Sequence, residues 1–192
     1  TTVVTSDPQE NLVAGTGAGA ARDADTCFNI MFGCNAGAAL NAGDHNIFLG
    51  CSTGCTATSG VCNIALGSGA AKQLESAGCG IFIGRYAGRC NTTGPRNTFI
   101  GVSAGLGMGG SVTGGCNVAI GDCAGMYGTS GERNTFVGYY AGICNTTGCG
   151  NVALGDCALG GPGNITGNNN IAIGKDAAKF TTSGADNISL GR

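Results

Sequence analysis

Charge is scarce in this sequence. Its 192 residues hold 11 acidic and 9 basic side chains, for a net charge of -2. No run or stripe of Lys and Arg suggests nucleic acid, and no polybasic segment suggests an anionic membrane surface. No apolar run approaches the length that spans a bilayer, so membrane insertion is not expected. The N-terminus lacks a basic segment followed by an apolar one, which reads as an export signal already removed or a piece of a longer chain. Trp is absent, Pro occurs three times and His once. With so little Pro and no Gly-X-Y register, 39 Gly residues do not make collagen. The single His45, beside Asp44 in a polar turn, reads as a solvated side chain. No Ser-His-Asp set or acid pair can be assembled, and Asp122 and Asp156 read as surface charge. The calcium-roll motif Gly-Gly-x-Gly-x-Asp and the Cys-x-x-Cys zinc spacing are both missing. The expectation is therefore no enzyme, no metal and no cofactor.

What is present is a repeat. Asn-x-x-(aliphatic)-Gly recurs at Asn29-Ile-Met-Phe-Gly33, Asn46-Ile-Phe-Leu-Gly50, Asn63-Ile-Ala-Leu-Gly67 and Asn97-Thr-Phe-Ile-Gly101. It continues at Asn117, Asn134, Asn151, Asn170 and Asn187; Gly80 replaces Asn once, and Asn11-Leu-Val-Ala-Gly15 is a degenerate first copy. The usual spacing is 17 residues, stretched by three within Gly107 to Gly115 and by two within Leu159 to Asn168. A fixed period of this size marks a repeat architecture. With Asn as position one, the β-branched run at positions two to four alternates in character, which predicts a strand. Position five is always Gly and position eight is nearly always Ala, predicting a tight corner. A hydroxyl-Gly turn then leads back to the next Asn. The fold class expected is an all-β parallel β-solenoid of about ten coils over residues 11–192. Residues 1–10 form an extension that caps the first coil or donates a strand, with Thr2-Val3-Val4-Thr5 as a short strand. Two readings fit the Asn column: an amide ladder along the rod, or tolerance of a left-handed turn.

This reading places positions two and four inside the coil. Position three then stands outside, where Met31, Phe48, Phe82, Phe99 and Phe136 form an apolar column. A monomer seldom leaves such a stripe in water, so these residues are the expected self-assembly interface. Open strand edges at the rod ends invite end-to-end stacking into a filament.

The 12 Cys residues point to an oxidising, extracellular setting. Cys34 with Cys51, and Cys62 with Cys79, occupy equal positions of adjacent coils, within the Cα separation that a disulfide spans. Cys144 and Cys149 flank one turn and are the third candidate pair. Glycosylation sequons in turns fall at Asn91, Asn145 and Asn164.

The segments Asn97 to Gly105 and Asn134 to Gly148 resemble the head repeats of trimeric autotransporter adhesins. They also resemble the Asn-Thr-Phe-Ile-Gly-x-x-Ala-Gly arrays of phage-type and bacterial surface fibres. That resemblance implies a left-handed parallel β-roll with three chains side by side. The unit here is longer than the adhesin unit, and its cysteines are foreign to that family. The function expected is the structural subunit of an extracellular fibre or filament, located at a cell surface, in a secreted filament or in a virion fibre. Its partner is itself, as a homotrimer. The alternative is an adhesive or carbohydrate-binding fibre head, with surface glycans as partners. An ice-binding solenoid ranks lower because the Thr array is broken.

Overall fold

The computed structural model describes residues 5–191, with side-chain burial from Asp7 onward. Thr2, Val3 and Val4 of the N-terminal strand expectation lie outside these residues. Twelve strands form one sheet in sequential order, and no helix is present among the described residues. β1 (Thr5–Ser6) runs antiparallel to β2 (Leu12–Ala14), pairing Thr5 with Val13, so this chain covers the first edge itself. From β2 onward every pairing is parallel and in register. The strands are β3 (Ile30–Phe32), β4 (Ile47–Leu49), β5 (Ile64–Leu66), β6 (Ile81–Ile83) and β7 (Thr98–Ile100). They continue as β8 (Val118–Ile120), β9 (Thr135–Val137), β10 (Val152–Leu154), β11 (Ile171–Ile173) and β12 (Ile188–Leu190). The molecule is a parallel β-solenoid of eleven turns, roughly 50 Å long at ~4.8 Å per rung. No helix among the described residues is long and apolar enough to cross a membrane.

Position-five Gly sets the stacking distance. Gly15, Gly33 and Gly50 hold φ of 128°, 133° and 136°, a region closed to L side chains. A Cβ added at Gly33 would lie 2.5 Å from the carbonyl oxygen of Gly50 in the next coil. Backbone therefore rests directly on backbone along this column.

The Asn column is a buried ladder. Asn46 N and Nδ2 donate to Asn29 Oδ1 at 2.8 and 3.0 Å, and Asn63 N and Nδ2 donate to Asn46 Oδ1 at 2.9 and 3.1 Å. From Asn29 to Asn170 each ladder Nδ2 also reaches the Gly or Ala carbonyl that ends its own coil's turn, as Asn46 does with Gly60 at 2.7 Å. None of the ladder Asn residues is left-handed. That conformation belongs to the residue just before: Phe28, His45, Cys62, Cys79, Arg96 and Cys116 have φ between 56° and 61°. The same ladder extends to Asn187, whose N donates to Asn170 Oδ1 at 3.1 Å.

Asn at position one points inward, and a strand alternates faces, so position three must point inward too. Met31, Phe48 and Phe82 are completely buried, and Phe99 and Phe136 are 3% and 4% exposed. The expected placement of these five on the outer face is therefore corrected: they are the core. Positions two and four face outward instead.

The interior is balanced in volume coil by coil. Where position three is large, position nine is Gly: Cβ atoms at Gly54, Gly88 and Gly142 would lie 2.2–2.8 Å from the rings of Phe48, Phe82 and Phe136. Where position three is Ala, position nine is larger, as in Ala65 with Ala71, Ala153 with Leu159 and Ala172 with Ala178. One coil breaks the rule. Ala119, Gly125 and Gly128 are all small, and they line an internal cavity of about 20 Å³ together with Phe99 and Phe136.

The two longer units bulge without disturbing the sheet. Asn91 bridges Val112 and Asn145 bridges Ile165, so the extra residues are looped out while β7–β8 and β10–β11 keep register. Met108 and Asn164 are exposed in these two loops.

Candidate functional site

The outer strand face follows from the same parity. Position two carries Ile30, Ile47, Ile64 and Ile81; position four carries Phe32, Leu49, Leu66, Ile83 and Ile100. Along β3 to β7 the middle residue is buried and both flanking residues are half-buried. Further on, Ile120, Val137 and Ile173 are 37%, 37% and 41% exposed. Parallel register stacks these side chains into two aliphatic columns running the full length of the sheet. The only polar interruptions from β3 to β12 are Thr98 and Thr135, both at position two. Ranking residues by hydropathy assigned this face to the interior; the buried Asn column was the signal that could have reversed it.

Arg85 follows the strand face at position six, and Tyr86 and Arg89 lie on the corner beyond. The guanidinium carbons of both arginines stand 5.2 Å from the centroid of the Tyr86 ring. Sequence reasoning missed this cluster, which carries no motif and occurs in one coil. Elsewhere Tyr139 and Tyr140 pack with ring centroids 4.1 Å apart. A hydrogen bond to Tyr139, with the further electrostatic influence of Tyr139 and Cys123, pushes the Tyr140 phenol up to about 12.

The cysteines are free thiols in this structure. Cys34 and Cys51 do occupy matching places, as Ser52 N donates to Cys34 O, and Cys62 and Cys79 are likewise in register. No disulfide links either pair among the described residues. Cys149 Sγ accepts from Glu132 N of the preceding coil at 3.4 Å and donates to Thr147 O of its own turn at 3.5 Å. Cys144 is half-buried, and burial pushes its thiol up.

Two of the three glycosylation candidates are also corrected. Asn91 and Asn145 are 0% and 2% exposed, with Nδ2 donating to Gly94 O and Gly148 O at 3.0 and 2.9 Å. Their amides point inward because position twelve is a core position, also held by Leu40 and Leu74. Asn164 alone is exposed.

His45 is exposed and stacks on Phe28 at 5.0 Å. Asp122 Oδ1 accepts from Val102 N at 3.1 Å, and Asp156 pairs with Lys175 at 3.7 Å. No group of three metal-ligating side chains is assembled among the described residues. The chain matches no family model, no curated protein and no solved structure.

Proposed function

We propose that this protein is the structural subunit of an extracellular fibre, assembled side by side from copies of itself through the outer strand face. The observation that carries the reading is the pair of aliphatic columns at positions two and four, which the fold leaves on the surface from one end to the other. A ribbon about 50 Å long and about 10 Å wide offers a footprint of about 500 Å² before its flanks are counted. A stable interface uses about 800 Å² per partner, so the ribbon with its rim is of the right size. Each aliphatic side chain moved from half-exposure to burial contributes on the order of 1 kcal/mol. The drive is thus spread evenly along the rod and opposed by the entropy of association.

The resemblance to adhesin heads and surface fibres supports three chains around the axis and an extracellular location. The core Phe residues take no part in assembly, because they are already enclosed within one chain. The test is Leu66→Asp with Ile83→Asp, examined by analytical ultracentrifugation. Both side chains sit on the outer face, so the coil interior is untouched. The parent is expected to sediment as a trimer and the double variant as a monomer. A monomeric parent, or a variant of unchanged mass, overturns the reading.

A further inference from the structure

Between Asn63 and Cys116 stand four cations, Lys72, Arg85, Arg89 and Arg96, against the single carboxylate Glu75. This local excess of positive charge lies within a chain whose net charge is -2. Two of the four stand against one ring, and a third occupies the neighbouring place in the stack. Arg85 and Arg89 flank the Tyr86 ring, each 5.2 Å from its centroid, which keeps their guanidinium carbons within about 10 Å of each other. Lys72 occupies the same position as Arg89 in the preceding coil, next to it in the stack: Gln73 N, one residue on from Lys72, donates to Arg89 O at 2.8 Å. None of the three has a carboxylate within ion-pairing distance among the described residues, where the ion pairs present involve Arg22, Arg133, Lys175 and Lys179. Arg89 Nε is in addition buried without a hydrogen-bond partner.

An unpaired guanidinium with a buried, unsatisfied N–H is destabilising by itself. An anion at its outer nitrogens returns charge-assisted hydrogen bonds to the same group. The Tyr86 ring fixes both forks in advance, so little side-chain entropy is lost on binding. From these observations we infer that Arg85 and Arg89, arranged on Tyr86, bind an acidic saccharide bearing carboxylate or sulfate groups, with Lys72 beside them in the preceding coil.

The patch is too small for a nucleic-acid backbone, which calls for an extended basic stripe. Its neighbours in the adjacent coils are the neutral hydrogen-bonding side chains Ser68, Gln73 and Ser103, suited to hydroxyl groups rather than to a charged polymer alone. The site goes beyond the self-assembly reading: it lies at the corner past the apolar ribbon, with Arg85 at the rim.

The experiment is calorimetric titration of the full chain with four probes: a chondroitin sulfate tetrasaccharide, a galacturonate tetrasaccharide, neutral cellotetraose and inorganic sulfate. A short single-stranded DNA serves as a fifth. Binding of at least one acidic saccharide is expected, weakening with salt, with no heat from cellotetraose. Arg85→Gln with Arg89→Gln should weaken that binding at least tenfold, while the distant Arg133→Gln leaves it unchanged. Light scattering on each variant separates this site from assembly, since the affinity should fall at unchanged mass. The inference is overturned by any of four results: no acidic saccharide binds, the double variant binds as well as the parent, its loss of affinity comes with disassembly, or sulfate or DNA binds as tightly as the saccharide.

Discussion

Asn91 Oδ1 accepts a hydrogen bond from Asn97 Nδ2 at 2.9 Å, six residues on, where the next coil begins. It stands in for a missing rung. Asn63 Oδ1 receives Gly80 N at 2.9 Å, but Gly80 has no amide to hand to Asn97. Its place is taken by the Phe82 ring, which a Cβ on Gly80 would meet at 2.5 Å. The ladder is therefore continued from the opposite wall, by an Asn at a position where other coils carry Leu. Asn145 likewise accepts from Asn151 Nδ2 at 3.1 Å, but there the rung is present and Asn151 N still donates to Asn134 Oδ1 at 2.8 Å.

Replacing Asn91 with Leu, the residue of the equivalent positions 40 and 74, is expected to destabilise the protein by about 1–2 kcal/mol. Asn97 Nδ2 then loses one acceptor and Gly94 O loses a donor, each inside the coil. Urea denaturation measures the loss. Stability equal to the parent's would show that the ladder needs no continuation here.

The cavity bounded by Ala119, Gly125 and Gly128 predicts a stabilising change. Gly128 does not have a left-handed φ, and a Cβ there would sit 3.2 Å from Gly125 O and 3.6 Å from Asn145 O. Gly128→Ala should add about 1 kcal/mol, from reduced unfolded-state entropy and one buried methyl group. Thermal unfolding should show the midpoint rise; a fall would mean that the carbonyl of Gly125 cannot give way.

Tyr140 makes stability fall with pH at the alkaline end. Its phenol is raised from the ordinary 10 to about 12, so the folded chain holds this proton more tightly than the unfolded one. The contribution is fully present below pH 10 and is lost as pH rises through about 12. Near-ultraviolet absorbance titration should find one phenol titrating late. Tyr139→Phe should bring it back toward the ordinary value, because the Tyr139 hydroxyl is the main cause.

Thiol reactivity should follow exposure rather than column. Cys34, Cys51, Cys62, Cys79 and Cys116 are exposed, whereas Cys90 and Cys144 are half-buried and their thiols are raised by burial. An aromatic disulfide reagent should label the first five within the fast phase and reach Cys90 and Cys144 last. Peptide mapping of unreduced protein should find no Cys34–Cys51 link.

The repeat period, the strand positions, the Gly corner and the looped-out insertions could all be read from the sequence, because each is a local rule applied eleven times. Which face of the strand is inside could not be read from hydropathy. Ile, Leu and Val at positions two and four look more like core than the mixed Phe and Ala of position three. The deciding information was relational. Phe48 goes with Gly54 and Ala153 with Leu159, an exchange of volume that has meaning only for side chains sharing one enclosed space. The register of the cysteine pairs was legible for the same local reason, and Ser52 N donates to Cys34 O as that register requires, while the thiols themselves stand unlinked. The Arg85–Tyr86–Arg89 cluster carries no periodic mark at all, since it occurs in one coil only.

The contact of Gly33 on Gly50, repeated at each turn, makes the length of this molecule a free variable. Because backbone meets backbone at that column, the distance from coil to coil does not depend on which side chains fill either one. Unlike neighbours stack as readily as like ones, and a coil inserted or removed whole leaves the seams above and below it with the same geometry. What a coil carries inside and what it displays outside can thus change separately, and the rod keeps its pitch through both.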